Sequence, residues 1–440
     1  MKTKTYFAIV GLIILSCLRA SGWGGPHAAI TKAGLETLPT KQKTLLGDEL
    51  PRLVSTYCII PDIIHKDKSL APFAIIYSSP GVVCPANLHL PAQQPENFKI
   101  LRYFMGKAVA ALRNGDISQA AKFTGTLCHA IEDWSCPAHV AAGDNMFTLF
   151  QQFMPPPDSM KNKLLHGPIE ANKLNVVIAD HKPQLLGTTV DEAAFRLLHR
   201  VNEGTVLARE QIIPIIQGIY AGDTNTVIAA QMKSALLGAR LVADAVYTII
   251  ALGSKTGEAG NQALLATVDI SAFYPLEAID LFFAQAKFLS SPYWGHPHHG
   301  FVLAGGTNAI PLKLRVDDNG TVTAKEFASG ISTGSGANSS LTFLVPTNVY
   351  TRFIVLAGLH PELGAKGGAE FSVTGNGKLL ANACVAADQP AHRFDCDLAG
   401  VTNLQLLVTA TKGSDAKSNY AIWAEPKLIK SAPSPYERRP

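Results

Sequence analysis

The chain is predicted to be a multidomain α + β protein, an all-α helical domain followed by an antiparallel β-sandwich. From Trp23 to about Ser254 apolar residues recur three and four apart, the period of amphipathic helices. Beyond Tyr293 short runs alternate apolar with polar residues and are punctuated by Asn-Gly turns, the pattern of paired strands. With 440 residues, 47% of them hydrophobic, the chain is long and apolar enough for two cores. The predicted division is a leader over 1–22, the helical domain over 23–254, a linker over 255–292, the sandwich over 293–430 and a Pro-rich disordered tail over 431–440.

The leader has the form of a secretory signal. Lys2 and Lys4 precede an apolar run from Tyr6 to Leu18 that is too short to span a membrane comfortably, and Ala20-Ser21-Gly22 offers a cleavage site ahead of Trp23. The expectation is a secreted, periplasmic or extracellular protein. The alternative takes Ile14-Leu15-Ser16-Cys17 as a lipoprotein box acylated at Cys17, although Leu15 suits such a box poorly. No later stretch reads as membrane-spanning, because the most apolar one, Ile228 to Leu252, carries Lys233, Arg240 and Asp244 at helical spacing. A net charge of +4 is too mild to call for a stable nucleic-acid complex, and it does not repel anionic substrates.

Seven cysteines are present, and all but Cys17 lie beyond the leader, an even set that favours disulfides in an exported chain. Cys384 is expected to pair with Cys396 across a hairpin. Of the three connectivities open to Cys58, Cys84, Cys128 and Cys136, the preferred one joins Cys58 to Cys84 and Cys128 to Cys136. The second of these bonds requires the intervening helix to break before Pro137. Thiolate ligation of zinc is the competing use of these residues.

Helices are expected over Phe98–Asn114, Ile117–Asp133, Asp191–Ile219 and Asn225–Leu252, with Gly115-Asp116 as the turn between the first two. The segment 254–261, rich in Gly, Lys and Glu, ends this pattern, and some helix is expected around Pro275 to Leu289. Strands are expected at 310–316, 340–345 and 404–408.

The chemistry concentrates in the segment from Cys128 to His139, which sets His129, Asp133 and His139 as H-x3-D-x5-H. His129 and Asp133 stand one helical turn apart and can share a divalent ion. Pro137 is expected to end the helix and free His139 to point elsewhere. His166 and Glu170 repeat the one-turn spacing downstream. The candidates of the helical domain, in order, are Trp23, His27, Asp62, His89, His129, Asp133, His139, His166 and Glu170. Nitrogen and oxygen donors without thiolates fit catalytic zinc, which keeps positions open for water. The remaining histidines, His181, His199, His360 and His392, have no convergent partners in sequence, and His296-Pro297-His298-His299 reads as a solvated loop.

The order W-x3-H, P-D, L-H, H-x3-D-x5-H with Pro two before the last His, then H-x3-E, resembles the zinc-dependent phospholipase C family over roughly Trp23 to Ala251. Gly115-Asp116-Ile117-Ser118-Gln119-Ala120-Ala121 leads into the motif as it does in that family. The resemblance implies about three zinc ions per chain, with the α-amino group and carbonyl of a mature N-terminal Trp23 among the ligands. Carried over, one ion falls to Asp62, His89, His129 and Asp133, and a second to Trp23, His27 and a bridging Asp133. The third falls to His139, His166 and Glu170. Asp62 would act as ligand, general base or both. His65, one turn from Asp62, is the alternative to His89. Bound zinc would offset the charge of a phosphodiester and acidify a water.

The stretch from about Tyr293 to Lys430 resembles a novel carbohydrate-binding module family with a galactose-binding-like β-sandwich. Gly330-Ile331, Tyr350-Thr351-Arg352-Phe353, Gly358-Leu359, 371–378, 397–401 and 421–428 carry the likeness. Asn419 stands where Asp is usual, and no sugar-binding residue can be named from the sequence.

These readings imply phospholipase C-type hydrolysis of a phospholipid head-group phosphodiester, with peripheral membrane contact and glycan binding through the second domain. The apolar segment from Pro72 to Pro85 reads either as a contact for lipid tails or as a core loop. The alternatives are a single-strand nuclease or other phosphodiesterase on the same zinc site, and a non-catalytic glycan-binding surface protein.

Overall fold

The computed structural model describes residues 25–79, 82–84, 87–140, 172–254, 265–280, 285–286, 297–304, 308–333, 339–363, 366–415 and 418–430. The chain divides into two compact units, Met1–Ala259 and Gly260–Pro440. The first is helical and the second is built of antiparallel strands.

The described helices of the first unit are α1 (Pro26–Glu36), α2 (Thr40–Leu46), α3 (Glu49–Ser55), α4 (Ile60–Ile63), α5 (Gln94–Arg113), α6 (Ile117–Trp134), α7 (Pro137–Val140), α8 (Val190–Glu210), α9 (Ile212–Ala221) and α10 (Thr224–Ser254). α6 lies at the centre. Asp116 caps it by accepting from the Gln119 backbone N–H at 2.9 Å, and from Phe123 to Trp134 every side is buried. A helix apolar on one face alone could not be used this way; here the polar residues are turned toward one another. α10 is the one described helix long and apolar enough to cross a membrane, and 78% of its most apolar window is buried among the other helices. Its Asp244 is satisfied inside the unit by His181 Nε2 at 2.9 Å, the Gln184 backbone N–H at 2.8 Å and the Arg200 guanidinium. His181, expected to lack a partner, thus has a buried carboxylate.

Two glycines set the packing. A Cβ at Gly34 of α1 would stand 2.9 Å from Val242 Cγ1 and 3.0 Å from the Ala239 carbonyl oxygen, so α1 lies directly on α10. A Cβ at Gly125 of α6 would stand 2.4 Å from the Tyr57 backbone carbonyl carbon. The 3-10 turn Tyr57–Ile59 is thereby seated flush on α6, and it leads straight into α4, which carries Asp62.

Several expected elements differ. The helix expected over Asp191–Ile219 is two helices meeting at Gln211, because Pro214 lacks an N–H and its ring would collide with the carbonyl one turn earlier. α6 ends at Trp134 with Ser135 as its cap, and Pro137 starts α7 instead of only ending a helix. The apolar segment 72–85 closes a 3-10 turn and then forms a hairpin, β1 (Ile76–Ser79) with β2 (Val82–Cys84), on which Tyr77, Val82 and Val83 are exposed.

In the second unit one sheet has the order β15-β12-β17-β10-β6 with β3 beside β17, and another β14-β13-β16-β11-β4-β5. Their strands are β3 (Thr267–Asp269), β4 (Glu277–Asp280), β5 (Gln285–Ala286), β6 (His298–His299), β10 (Gly330–Ser332), β11 (Ser339–Leu344), β12 (Arg352–Leu359), β13 (Gly368–Gly375), β14 (Lys378–Ala386), β15 (His392–Asp397), β16 (Asn403–Ala410) and β17 (Ala421–Ile429). β7 (Phe301–Ala304), β8 (Asn308–Asp318) and β9 (Thr321–Phe327) form a third, smaller sheet. The two large sheets meet through buried aromatics: Phe371 of β13 stacks edge-on to Trp423 of β17 with centroids 5.2 Å apart. The Asn-Gly signals close hairpins as expected. Asn319-Gly320 and Asn376-Gly377 all have positive φ and join β8 to β9 and β13 to β14.

The segment 255–292, expected as a linker with some helix, contributes β3, β4 and β5 to the two large sheets. Its Val268 and Ile270 are buried, which a solvated linker would not require. His298 and His299, expected in a solvated loop, form β6 against β10, and the His299 Nδ1–H donates to the Ser271 carbonyl. The expected disulfides are not formed: none of Cys58, Cys128, Cys136, Cys384 and Cys396 is in a disulfide. The helix does break before Pro137, but only at Ser135; the six helical steps from Cys128 to Trp134 already carry the backbone about 9 Å along the axis, and the Cys128–Cys136 bond is not made. Cys384 is exposed on β14 and Cys396 is buried on β15, strands of different sheets.

Candidate metal centre

His129 and Asp133 occupy successive turns of α6 and are fully buried, as are His27 on α1 and His139 on α7. Asp62 in the first turn of α4 and His89 in the loop between β2 and α5 complete the cluster at its more open side. His89 is the residue that reaches it; His65 is exposed.

Asp133 organises the group. Its Oδ2 lies 3.0 Å from His89 Nδ1 and 3.1 Å from His129 Nε2, while its Oδ1 lies 3.2 Å from His27 Nε2 and 3.3 Å from His139 Nε2. Each oxygen of one carboxylate therefore faces two imidazoles. Asp62 Oδ1 stands off at 3.8 Å from His89 Nδ1 and 3.9 Å from His129 Nε2. His129 Nε2 and His89 Nδ1 are 3.1 Å apart, and the His27 and His129 rings stack with centroids at 4.4 Å. The sequence predicts that Pro137 frees His139 to point elsewhere, and the structure differs. α7 turns His139 back onto the Asp133 carboxylate.

Ligand atoms of His27, Asp62 and His129 lie within 4.8 Å of one another, and so do those of His89, His129 and Asp133. These donors fit a metal. Three buried imidazoles and the half-buried His89 surround one carboxylate, a nitrogen and oxygen donor set that suits a divalent ion. His27 Nε2 and Asp133 Oδ1 are buried with no hydrogen bond between them of good geometry despite their 3.2 Å separation. His27, His89, His129, Asp62 and Asp133 would hold the ions, with His139 closing the inner side.

Electrostatics agree with the geometry. Burial favours the neutral form of the Asp133 carboxyl, but His129, His139 and His27 outweigh it and hold its pKa well below the usual carboxylate range. Burial pushes the His27 imidazole down, yet Asp133 and Glu132 raise it well above 6.5. His89 is raised in the same way, with Asp133 overcoming its partial burial. Burial drives the Cys58 and Cys128 thiols well up, which keeps them protonated in the metal-free protein.

Trp23, His166 and Glu170 lie outside the described residues. One buried member of the site is not among the sequence candidates: Glu132. It accepts from His27 Nδ1 at 2.6 Å and from the Thr31 hydroxyl at 2.5 Å. Its signal in sequence is a second carboxylate in a helix that buries every side. His129 Nδ1 is matched differently, donating to the Cys58 backbone carbonyl at 2.9 Å, one residue beyond the Tyr57 carbonyl that packs on Gly125 of α6.

No curated protein sequence matches the chain. Residues 291–429 match the NPCBM/NEW2 domain. Solved structures similar to this chain include the CBM51 module of Clostridium perfringens GH95 in complex with methyl-galactose, 18% identical, covering 37% of this chain and 99% of that one with a TM-score of 0.30. The CBM51-2 and INT domains of Clostridium perfringens ZmpB in complex with GlcNAc are 20% identical, with a TM-score of 0.29 over 37% of this chain, which spans 31% of that structure's length. Clostridium perfringens alpha-toxin is similar at 11% identity over 91% of this chain and 85% of that one, with a TM-score of 0.31. The NPCBM/NEW2 match begins after β3, β4 and β5, so the sheets of the second unit reach further toward the N-terminus than the matched segment.

Proposed function

We propose that the helical unit is a zinc-dependent phosphodiesterase of phospholipase C type, acting on the head-group phosphodiester of a phospholipid. The observation that carries this reading is Asp133, a buried carboxylate whose two oxygens each face two imidazoles, the arrangement needed to join adjacent cations. It is supported by the motif order shared with the zinc-dependent phospholipase C family. Bound zinc would offset phosphate charge and acidify water.

The chain's own residues divide the remaining work. His27, His129 and His139 are buried and preorganised, so little ordering is left to occur on binding. Asp62 sits at the open side with its side chain one-tenth exposed, and we assign it as the base that takes a proton from an incoming water. The water oxygen then bonds to phosphorus, the bond to the glycerol oxygen breaks, and the leaving oxygen takes up the proton that Asp62 received. Export with cleavage before Trp23 would place a free α-amino group four residues ahead of His27, and we take that group as a further ligand. The second unit is proposed to hold the enzyme on a glycan-bearing surface, a reading supported by its NPCBM/NEW2 match.

The test uses the exported mature protein. Zinc near three ions per chain, with diacylglycerol released from phosphatidylcholine vesicles, is the expected result. Cleavage of single-stranded DNA without lipid turnover would move the substrate class to nucleic acid. A chain free of zinc would sink the reading, and a mature terminus at any residue other than Trp23 would remove the α-amino ligand.

A further inference from the structure

Glu132 directly precedes Asp133, so on α6 its side chain leaves the axis about 100° away and turns toward α1 instead of the metal centre. It is fully buried, and both of its oxygens are engaged: Oε2 with His27 Nδ1 at 2.6 Å, Oε1 with the Thr31 hydroxyl at 2.5 Å. His27 and Thr31 are one turn apart on α1 and present both groups on one face. A carboxylate can only accept, so the Nδ1 of His27 is the donor. The lone pair of its ring is thereby assigned to Nε2, the atom that points at Asp133 Oδ1.

We infer that Glu132 is a positioning residue for the metal centre, which fixes His27 as an Nε2 ligand, and that Thr31 holds Glu132 in place to do so. The inference rests on the metal reading of the site but not on its substrate. Two buried imidazoles at this centre are oriented through Nδ1 by different partners. His129 meets a neutral backbone carbonyl, whereas His27 meets a carboxylate, and a carboxylate both orients the ring and increases its donor strength. Glu132 therefore acts selectively, on the ion that His27 binds and not on one that His89 holds without His27.

The experiment is a zinc titration of the full exported protein against a chromophoric chelator, with elemental analysis of the dialysed protein, for wild type, Glu132→Leu, Glu132→Gln and Thr31→Val. Glu132→Leu should weaken one class of zinc site by about 10- to 100-fold and leave the others at wild-type affinity. Glu132→Gln keeps an acceptor for Nδ1 while removing the charge, so it should fall between Leu and wild type. Thr31→Val should weaken the same class by less. Glu132→Gln keeps the volume and the hydrogen bond, so it answers the question even if Glu132→Leu fails to fold. Uniform weakening of every site in Glu132→Gln would mark a merely structural role and overturn the inference, as would unchanged affinity at all of them. Lipid hydrolysis is not the readout, so a wrong substrate class would leave this result standing.

Discussion

The helical unit buries a titratable cluster inside its apolar core, where the sandwich interior is packed with aromatic rings. On α6, beside the buried Leu127, Ile131 and Trp134, the cluster is His129, Glu132, Asp133 and, from its neighbours, His27 and His139. Between the large sheets the buried set is Phe343, Phe353, Phe371, Phe394 and Trp423. An aromatic core is stable on its own terms, since burial of each ring is favourable wherever packing is dense. A core of carboxylates and imidazoles is not, because desolvation of charge is repaid only by close partners or by a ligand. The difference teaches where chemistry resides: the sandwich spends its interior on stability, and the helical unit gives up part of its interior to a site.

The comparison is most sharply tested at Asp133. Asp133→Asn keeps the volume but removes the charge that four imidazoles share, and should cut turnover at least about 1000-fold while zinc content falls by more than one ion per chain. Elemental analysis beside a vesicle assay reads both, and retention of either would refute the bridging role. Trp423→Ala makes the opposite cut. It should destabilise the sandwich by about 3–5 kcal/mol through the cavity left beside Phe371, with zinc content and hydrolysis of a soluble short-chain lipid unchanged. Denaturant melting read alongside the zinc assay would expose any dependence of the first core on the second.

Gly125→Ala should have a smaller but two-sided effect. Its Cβ has no room against the Tyr57 backbone, so about 1–3 kcal/mol of overpacking is expected. Because the displaced turn carries the Cys58 carbonyl and leads to Asp62, zinc affinity should fall as well; a loss of stability with wild-type zinc affinity would show that the turn does not set the site.

The smallest effect concerns pH. The pKa values of His27 and His89 are raised in the fold, so their stabilisation is fully present below 6.5 and is lost as pH rises through the folded values. The metal-free protein should therefore lose stability above about pH 6.5, by on the order of 1 kcal/mol per pH unit for each proton released. Asp133 works the other way, its contribution being present above 3.8 and lost as pH falls through its lowered value. Zinc displaces the imidazole protons, so the loaded protein should instead gain stability as pH rises from 6.5. Thermal melts with and without chelator check the sign, and parallel curves would count against a metal at this centre.

Much of the site could be seen along the chain because its ligands follow local rules. His129 and Asp133 converge through the helical repeat itself, and the sandwich hairpins are announced by Asn-Gly turns that need positive φ. The misses have equally physical sources. The strands β3 to β5 were hidden in 255–292 because strands of two to four residues hold too few positions to raise a periodic signal. Cysteine count and an exported context favoured disulfides, but pairing depends on Cβ geometry, which put Cys384 and Cys396 in different sheets. Pro214 broke a helix that periodicity carried straight through.

Sequence alone determined the two grammars, the helix bearing H-x3-D and the list of groups able to meet a cation, because periodicity and side-chain chemistry are local properties. Tertiary structure decided which of those groups meet and what stands behind them. It turned His139 inward, chose His89 over His65, set each Asp133 oxygen between two imidazoles and placed Glu132 behind His27. Those outcomes depend on backbones approaching at Gly34 and Gly125 from distant parts of the chain, and such contacts leave no periodic trace in the sequence.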